Sequence, residues 1–237
     1  MGLVYKHSRW IPHSLTEEQK LERVRQATAL AELLEKSKKV GYVNIVTGDE
    51  SWFTCTCAIK GSWVCPEDDN PEFDASKICV EKVMLTVIWG VKGMHVINFL
   101  PKDQNLNSEY FIENILKPLH EQKERIWGET NRKKLILHLD NCKVHNSKVT
   151  TKKYDEYGFR RSPHPPYSPD IAPSDFFLFG YTKEKLKSYH CKNLYDLQEA
   201  TIQILNGISR KTLVSVFDEW LHRCYWVASN DGNYYHK

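Results

Sequence analysis

Two apolar runs that each lead to an aspartate constrain this chain most. Tyr42-Val43-Asn44-Ile45-Val46 passes through Thr47-Gly48 to Asp49, and Leu135-Ile136-Leu137-His138-Leu139 ends directly on Asp140. The second run is apolar at nearly every position, the pattern of a strand covered on both faces of its sheet. A third aspartate, Asp175, follows Pro173-Ser174 and opens the aromatic segment Phe176-Phe177-Leu178-Phe179. Two strand-end carboxylates and one at a helix start can converge at one edge of a sheet. Such a cluster repels itself unless it holds cations. Oxygen donors without a His/Cys cage suit Mg²⁺ or Mn²⁺, and two such ions a few ångströms apart serve in-line attack on a phosphodiester.

Each aspartate also has a local reading. Asp49 could cap a turn, Asp140-Asn141 has strand-exit turn chemistry, and Asp175 could favour a helix start through the macrodipole. Glu50 adjoins Asp49, but neighbours on a strand point to opposite faces, so Asp49 is the inward candidate. Asp170 competes with Asp175 for the third position. It follows Pro169 in an irregular segment, whereas Asp175 lies on a helix that can hold it rigidly.

The rest of the chain supplies a scaffold for such a site. Residues 16–38 carry Leu21, Val24, Ala27, Leu30, Leu33 and Leu34 at helical spacing after a Thr16-Glu17-Glu18-Gln19 start. Residues 42–46 and 51–59 read as consecutive strands around a Thr-Gly turn, and 83–91 and 94–100 as a pair about Lys92-Gly93. Between them, residues 60–80 have no period and read as a long loop, a length usually functional or disordered. Helices are expected at 107–126, 146–157, 174–188, 194–207 and 210–228, with strands at 134–139 and 158–161. Pro163-His164-Pro165-Pro166-Tyr167-Ser168-Pro169 is neither helix nor central strand. The order predicts an α/β fold with a mixed sheet flanked by helices.

Composition sets broad bounds. At 237 residues, 41% hydrophobic and 27% charged, the chain is long enough to bury a core without staples. No apolar run approaches the roughly 20 residues that span a bilayer, and Met1 to Leu15 carries no secretory apolar region. The seven cysteines are odd in number. They read as reduced intracellular thiols, with a zinc site from Cys55, Cys57 and a histidine as the minor alternative. Net charge is +3, yet Glu121 to Lys192 holds 15 Lys/Arg against 9 Asp/Glu, a local +6 that suits a polyanion.

These segments resemble the catalytic domain of mariner-type transposases, in the Tc1/mariner superfamily. Trp10-Ile11-Pro12-His13-Ser14-Leu15 is similar to the family's linker motif. Thr47-Gly48-Asp49-Glu50-Ser51-Trp52, His138-Leu139-Asp140-Asn141 with His145, and His164-Pro165-Pro166-Tyr167-Ser168-Pro169-Asp170-Ile171-Ala172-Pro173-Ser174-Asp175 resemble the blocks holding its three catalytic aspartates. Thirty-four residues separate Asp140 from Asp175, the mariner spacing, which favours Asp175 over Asp170. Trp220, Cys224, Gly232 and Tyr234 resemble the closing segment.

The resemblance implies an RNase H-like fold, with a linker arm and helix over 1–38, a catalytic domain over 39–237, and a clamp-like loop at about 60–80 inserted after the second strand. It implies two Mg²⁺ or Mn²⁺ ions on Asp49, Asp140 and Asp175, and endonucleolytic cleavage at transposon ends with strand transfer into TA sites. It also implies DNA contacts from Lys143, His145 and His164, and a nuclear homodimer joined through Trp10, Ile11, Pro12, His13 and Leu15. Neither a membrane nor a small-molecule substrate is expected.

Three departures qualify it. The family's paired helix-turn-helix region, which precedes the linker, is not in this sequence, so a fragment with weakened recognition of transposon ends is expected. Cys142-Lys143-Val144-His145 stands where the family has an Ala-Arg-Pro-His-like run, and lysine keeps the charge without bidentate geometry. The loop is acidic, through Glu67, Asp68, Asp69, Glu72 and Asp74, and suits a basic partner surface better than DNA. The competing functions are a catalytically inactive, transposase-derived DNA-binding or dimerisation module, and another RNase H-like nuclease acting on hybrids or junctions.

Overall fold

Thr16 starts the first helix by a reciprocal cap. Its hydroxyl accepts from the Gln19 amide at 3.2 Å and its own amide donates to Gln19 Oε1 at 3.0 Å. In the computed structural model, which describes residues 11–57, 79–127 and 135–236, helix α1 then runs over Glu17–Lys38. Its buried stripe, Arg23, Ala27, Leu30, Ala31 and Leu34, faces the body of the protein. Gly41 at φ 69° and Tyr42 at φ 59° turn the chain into the sheet.

The sheet has five strands: β1 (Ile45–Cys57), β2 (Cys79–Gly90), β3 (Gly93–Phe99), β4 (Leu135–His138) and β5 (Phe159–Arg161), in the order β3-β2-β1-β4-β5. β1–β2 and β2–β3 are antiparallel, and β1–β4 and β4–β5 are parallel. Gly93 closes the β2–β3 hairpin at φ 117°, a conformation that favours glycine.

The Thr47-Gly48 turn is not there. β1 is one strand through both expected pieces, so Asp49 lies within a strand rather than at its end. Gly48 serves close packing instead. A Cβ there would come within 2.2 Å of Ile88 Cδ1 and 2.7 Å of the Val87 carbonyl. The insertion therefore follows the first strand, not the second. Cys57 and Cys79 are register partners on either side of it; residues 58–78, which include 60–78 of the expected clamp-like loop, lie outside the described residues, as does Trp10.

Side chains alternate between two apolar layers. Ile45, Phe53, Leu85, Trp89 and Ile136 join Leu30, Leu34, Phe217 and Trp220 on one face, where α1 packs along α8 (Arg210–Ser229) and α7 (Leu194–Asn206) covers β1–β3. Val46, Ile88, Leu135 and Leu137 join Phe111, Ile115, Leu119 and Tyr154 on the other. That face is covered by α2 (Ser108–Phe111), which continues through a π turn (Ile112–Leu116) into α3 (Lys117–Trp127).

The helix expected over 146–157 is two helices, α4 (Lys143–Asn146) and α5 (Lys148–Glu156). Ser147 separates them with ψ 150° and caps α5 by accepting from the Thr150 amide at 3.1 Å. The helix expected from 174 opens as a π turn (Ser174–Leu178) before α6 (Phe179–Leu186). No described helix is long and apolar enough to cross a membrane.

Candidate active site

The difference in length between β1 and β4 creates the site. β1 pairs with β4 only through Ile45, Val46 and Thr47, whose partner is His138. β4 then stops, while β1 continues along β2 to Cys57. From Asp49 onward the β4 side of β1 is open, and Asp140 arrives beside it two residues past the end of β4. The strand-end geometry expected for Asp49 is thus supplied by its neighbour's ending.

Asp175 comes from the π turn packed on β1. Its backbone amide donates to the Ala172 carbonyl at 3.0 Å, and Trp89 Nε1 anchors the adjacent Ser174 hydroxyl at 3.1 Å from the core. The Asp175 and Asp49 carboxyls lie near enough for their electrostatics to couple. Burial and the negative charges of Asp175, Glu50 and Asp140 push the Asp49 carboxyl well above the carboxylate range. Desolvation and then the Asp140 charge push Asp175 the same way, although the residue as a whole is exposed and Lys183 works against the shift. These are carboxylates short of positive partners.

Asp140 is different. Burial works against its charge, but the hydrogen bonds from His145 and the Cys142 amide prevail and hold its carboxyl below the ordinary range. Asp140 Oδ1 accepts from the Cys142 amide at 3.0 Å and lies 2.8 Å from His145 Nδ1. His145 Nε2 lies 3.4 Å from Glu50 Oε1. Burial discourages protonation of His145, yet its contacts with Asp140, Cys142 and Glu50 outweigh that and raise its pKa. The ring bridges two carboxylates, which favour its protonated form.

The structure therefore brings Asp49, Asp140 and Asp175 together with Glu50 and His145. His145 and His164, expected as DNA contacts, are both buried. His164 Nδ1 lies 3.0 Å from His138 Nε2, and His138 Nδ1 lies 2.9 Å from Thr47 Oγ1, so the three residues join the proline segment to β4 and β1. Burial holds both rings neutral, with His164 pushed down to about 4 and His138 well below its usual value. Lys143 is exposed on α4. Among the arm residues, His13 stacks on Tyr167 at 4.1 Å, and Ile11, His13 and Leu15 line a cleft with Trp226 and Tyr234 of the same chain.

Asp170 is fully engaged elsewhere. Arg23, wholly buried, grips it with Nη1 at 3.0 Å and Nη2 at 2.7 Å, and the Tyr235 amide donates to it at 2.9 Å. Sequence reasoning missed Arg23, Glu50 and Arg161. Arg161 donates from Nη2 to the Leu139 and Asp140 carbonyls at 3.2 and 3.1 Å and steadies the exit from β4. An arginine on the apolar stripe of α1 was the one available signal for Arg23.

The donor set favours hard divalent cations. Asp49, Asp140 and Asp175 offer oxygen alone, and Asp49 and Asp175, whose carboxyls are pushed up, gain most from a neutralising ion. The group Glu50, Cys142 and His145 also lies within 4.8 Å, but both His145 nitrogens face carboxylates. Cys55, of the alternative zinc reading, is buried with its thiol donating to the Cys191 carbonyl at 3.2 Å.

Known proteins share this sequence and fold. Residues 56–135 match the sequence profile of a family described as Transposase (partial DDE domain), a stretch lying between Asp49 and Asp140. The chain is 30% identical over 183 residues to the Mariner Mos1 transposase of Drosophila mauritiana, covering 76% of this chain and 52% of that protein. It is 27% identical over 237 residues to the Histone-lysine N-methyltransferase SETMAR of Homo sapiens, covering 99% of this chain and 34% of that protein. The chain thus spans a third to a half of these relatives. The Mos1 mariner paired end complex with Mn superposes with a TM-score of 0.79 at 25% identity, covering 100% of this chain and 69% of that one. The catalytic domain of Mos1 mariner transposase superposes at 0.75 with 22% identity, covering 96% and 100%. The mixed sheet flanked by helices is accordingly RNase H-like.

Proposed function

We propose, for a chain that is a catalytic domain of the mariner transposase type, that Asp49, Asp140 and Asp175 hold two divalent ions and that the domain cuts and joins DNA strands. The observation that carries this reading is the convergence of Asp49 on β1, Asp175 on the π turn packed against β1, and Asp140 at the open edge of β1, where burial and neighbouring negative charge push the first two carboxyls up. When bound, Mg²⁺ or Mn²⁺ lowers the pKa of an attacking water or 3′-hydroxyl and offsets the charge that builds on the phosphate oxygens. Divalent metal use is supported by the Mos1 complexes with Mn and with Mg.

The chain's own residues do the positioning. Asp49 is fixed by a long paired strand, Asp140 by His145 and the Cys142 amide, and Asp175 by the π turn pinned through Ser174. A paired strand and a pinned π turn fix two of the carboxylates, and local hydrogen bonds fix Asp140 in the irregular exit from β4. A side-chain nucleophile is not required, because water and a DNA hydroxyl serve in turn.

The partners in this reading are transposon-end DNA and TA target DNA, in a nuclear homodimer. The paired-end and strand-transfer assemblies of Mos1 support DNA as the partner class. The exposed Lys143, and Lys183 with its amine 2.8 Å from Ser51 Oγ, are cations near the carboxylates that suit phosphate.

The test is cleavage and strand transfer on pre-nicked linear DNA carrying a TA site, with Mg²⁺ or Mn²⁺. Wild type is expected to give metal-dependent products and Asp175→Ala none. Products from both proteins, or from wild type in chelator, overturn the reading.

A further inference from the structure

We propose that Glu50 and His145 form a positioning pair that holds Asp140 in the orientation needed to bind metal. The proposal rests on the reading of Asp49, Asp140 and Asp175 as metal ligands, and extends it to two residues that touch neither metal nor DNA.

Asp140 lies beyond its strand and owes its direction to hydrogen bonds on its carboxylate rather than to a ladder. Its Oδ1 takes two donors, the Cys142 amide at 3.0 Å and His145 Nδ1 at 2.8 Å. Among the described residues, no protein donor reaches Oδ2. One oxygen is thus committed to the protein and the other left for a ligand, which is how outer partners orient a metal-binding carboxylate.

His145 is itself held. Its ring has no exposed surface, packs on Phe111 at 4.7 Å between centroids, and meets Glu50 Oε1 at 3.4 Å on its far side. Its carbonyl accepts from the Tyr154 hydroxyl at 3.2 Å. Helix α4, four residues long, carries it between the turn closed by the Cys142 amide on Asp140 and Ser147, which caps α5.

Glu50 closes the connection. It follows Asp49 on β1 and points to the opposite face of the sheet, where Val46 and Ile88 meet Phe111. Its backbone amide donates to Asp49 Oδ1 at 2.8 Å. The same residue therefore steadies Asp49 through its main chain and Asp140 through His145. Strand alternation, which seemed to remove Glu50 from the site, places it on the side where it can brace the second carboxylate. An apolar side chain against Phe111 would fill the space without burying an imidazole that bridges two carboxyl groups. Packing alone does not account for the pair.

The test is Mn²⁺ affinity of the metal-free chain, read from the free-ion paramagnetic resonance signal, for wild type, His145→Leu, His145→Asn, Glu50→Ala and Asp175→Ala. His145→Leu keeps bulk without a donor and is expected to bind Mn²⁺ about tenfold or more weakly. His145→Asn restores an N–H near the position of Nδ1 and is expected to stay within about threefold of wild type. Affinity for nicked DNA in chelator is expected to be unchanged in both. Equal weakening in the leucine and asparagine variants marks a structural role and overturns the proposal, as does unchanged Mn²⁺ affinity in His145→Leu. If the leucine variant does not fold, Glu50→Ala reads the same connection from its partly exposed end: weaker Mn²⁺ binding supports the proposal and wild-type binding overturns it. Asp175→Ala separates the two levels. If it binds Mn²⁺ like wild type, the metal reading fails and the proposal falls with it. If it loses Mn²⁺ while His145→Leu and Glu50→Ala retain it, only the positioning proposal falls.

Discussion

Asp170 and Asp175 stand five positions apart in one proline-rich block, yet they live in opposite electrostatic surroundings. Asp170 meets a wholly buried guanidinium that also donates from Nε to the Gly232 carbonyl at 2.7 Å and from Nη1 to Ser168 Oγ at 2.5 Å. Through that pair, α1, the proline block and the C-terminal segment become one joint. Asp175 meets Asp49 and, at longer range, Asp140. One carboxylate is satisfied by the fold, and the other is left wanting a cation. The contrast shows that residue type and neighbourhood in sequence do not assign a role to an acidic group. Its partners do.

The contrast can be broken from the Asp170 side. Arg23→Ala leaves a buried carboxylate without its partner and is expected to cost about 3–5 kcal/mol of folding stability, read from denaturant midpoints. A loss below about 1 kcal/mol would mean that the joint is not held by this pair.

Divalent metal sharpens it from the other side. Wild type in Mn²⁺ at about 100 times its dissociation constant is expected to gain about 2.7 kcal/mol. Asp175→Asn should gain little, and Asp170→Asn, if it folds, should respond like wild type. Thermal melts with and without Mn²⁺ check this, and an equal response in the two asparagine variants would erase the distinction.

The smallest effect is the most diagnostic. Without metal, Asp175→Asn removes one repelling charge and is expected to stabilise the chain by up to about 1 kcal/mol, limited by solvent screening because Asp175 is exposed. That is a rise of about 2–4 °C in Tm for a domain of this size, while strand cleavage is lost. The sign with pH follows from the raised carboxyls of Asp49 and Asp175. A carboxyl whose folded pKa is raised takes up its proton in the folded state first as pH falls, so wild type regains stability towards the ordinary carboxylate range. The advantage of Asp175→Asn should therefore be largest at alkaline pH and shrink on acidification. An advantage that grows on acidification would overturn the account.

Much of this was legible in the residues themselves. The buried strand at 135–138, the hairpin at Gly93 and the capped start of α1 rest on hydrophobic period and local hydrogen bonding, both encoded within a few positions. The three aspartates were read as a set from two strand ends and a helix start, although Asp49 lies within β1 and only the shortness of β4 opens the edge beside it. Thr47-Gly48 was misread because glycine has two uses, conformational freedom and absence of a side chain, and only the proximity of Ile88 shows the second. The resemblance implied DNA contacts from His145 and His164, and their burial cannot be read from a histidine's neighbours in sequence.

What the tertiary structure alone decided is the pairing of charges. Arg23 finds Asp170 across 147 positions, and Glu50 finds His145 across 95. Sequence determines helices, strands and their faces because those forces act over a few residues. A buried charge is settled by whichever opposite charge the completed fold brings within hydrogen-bond reach, and no local pattern records that distance.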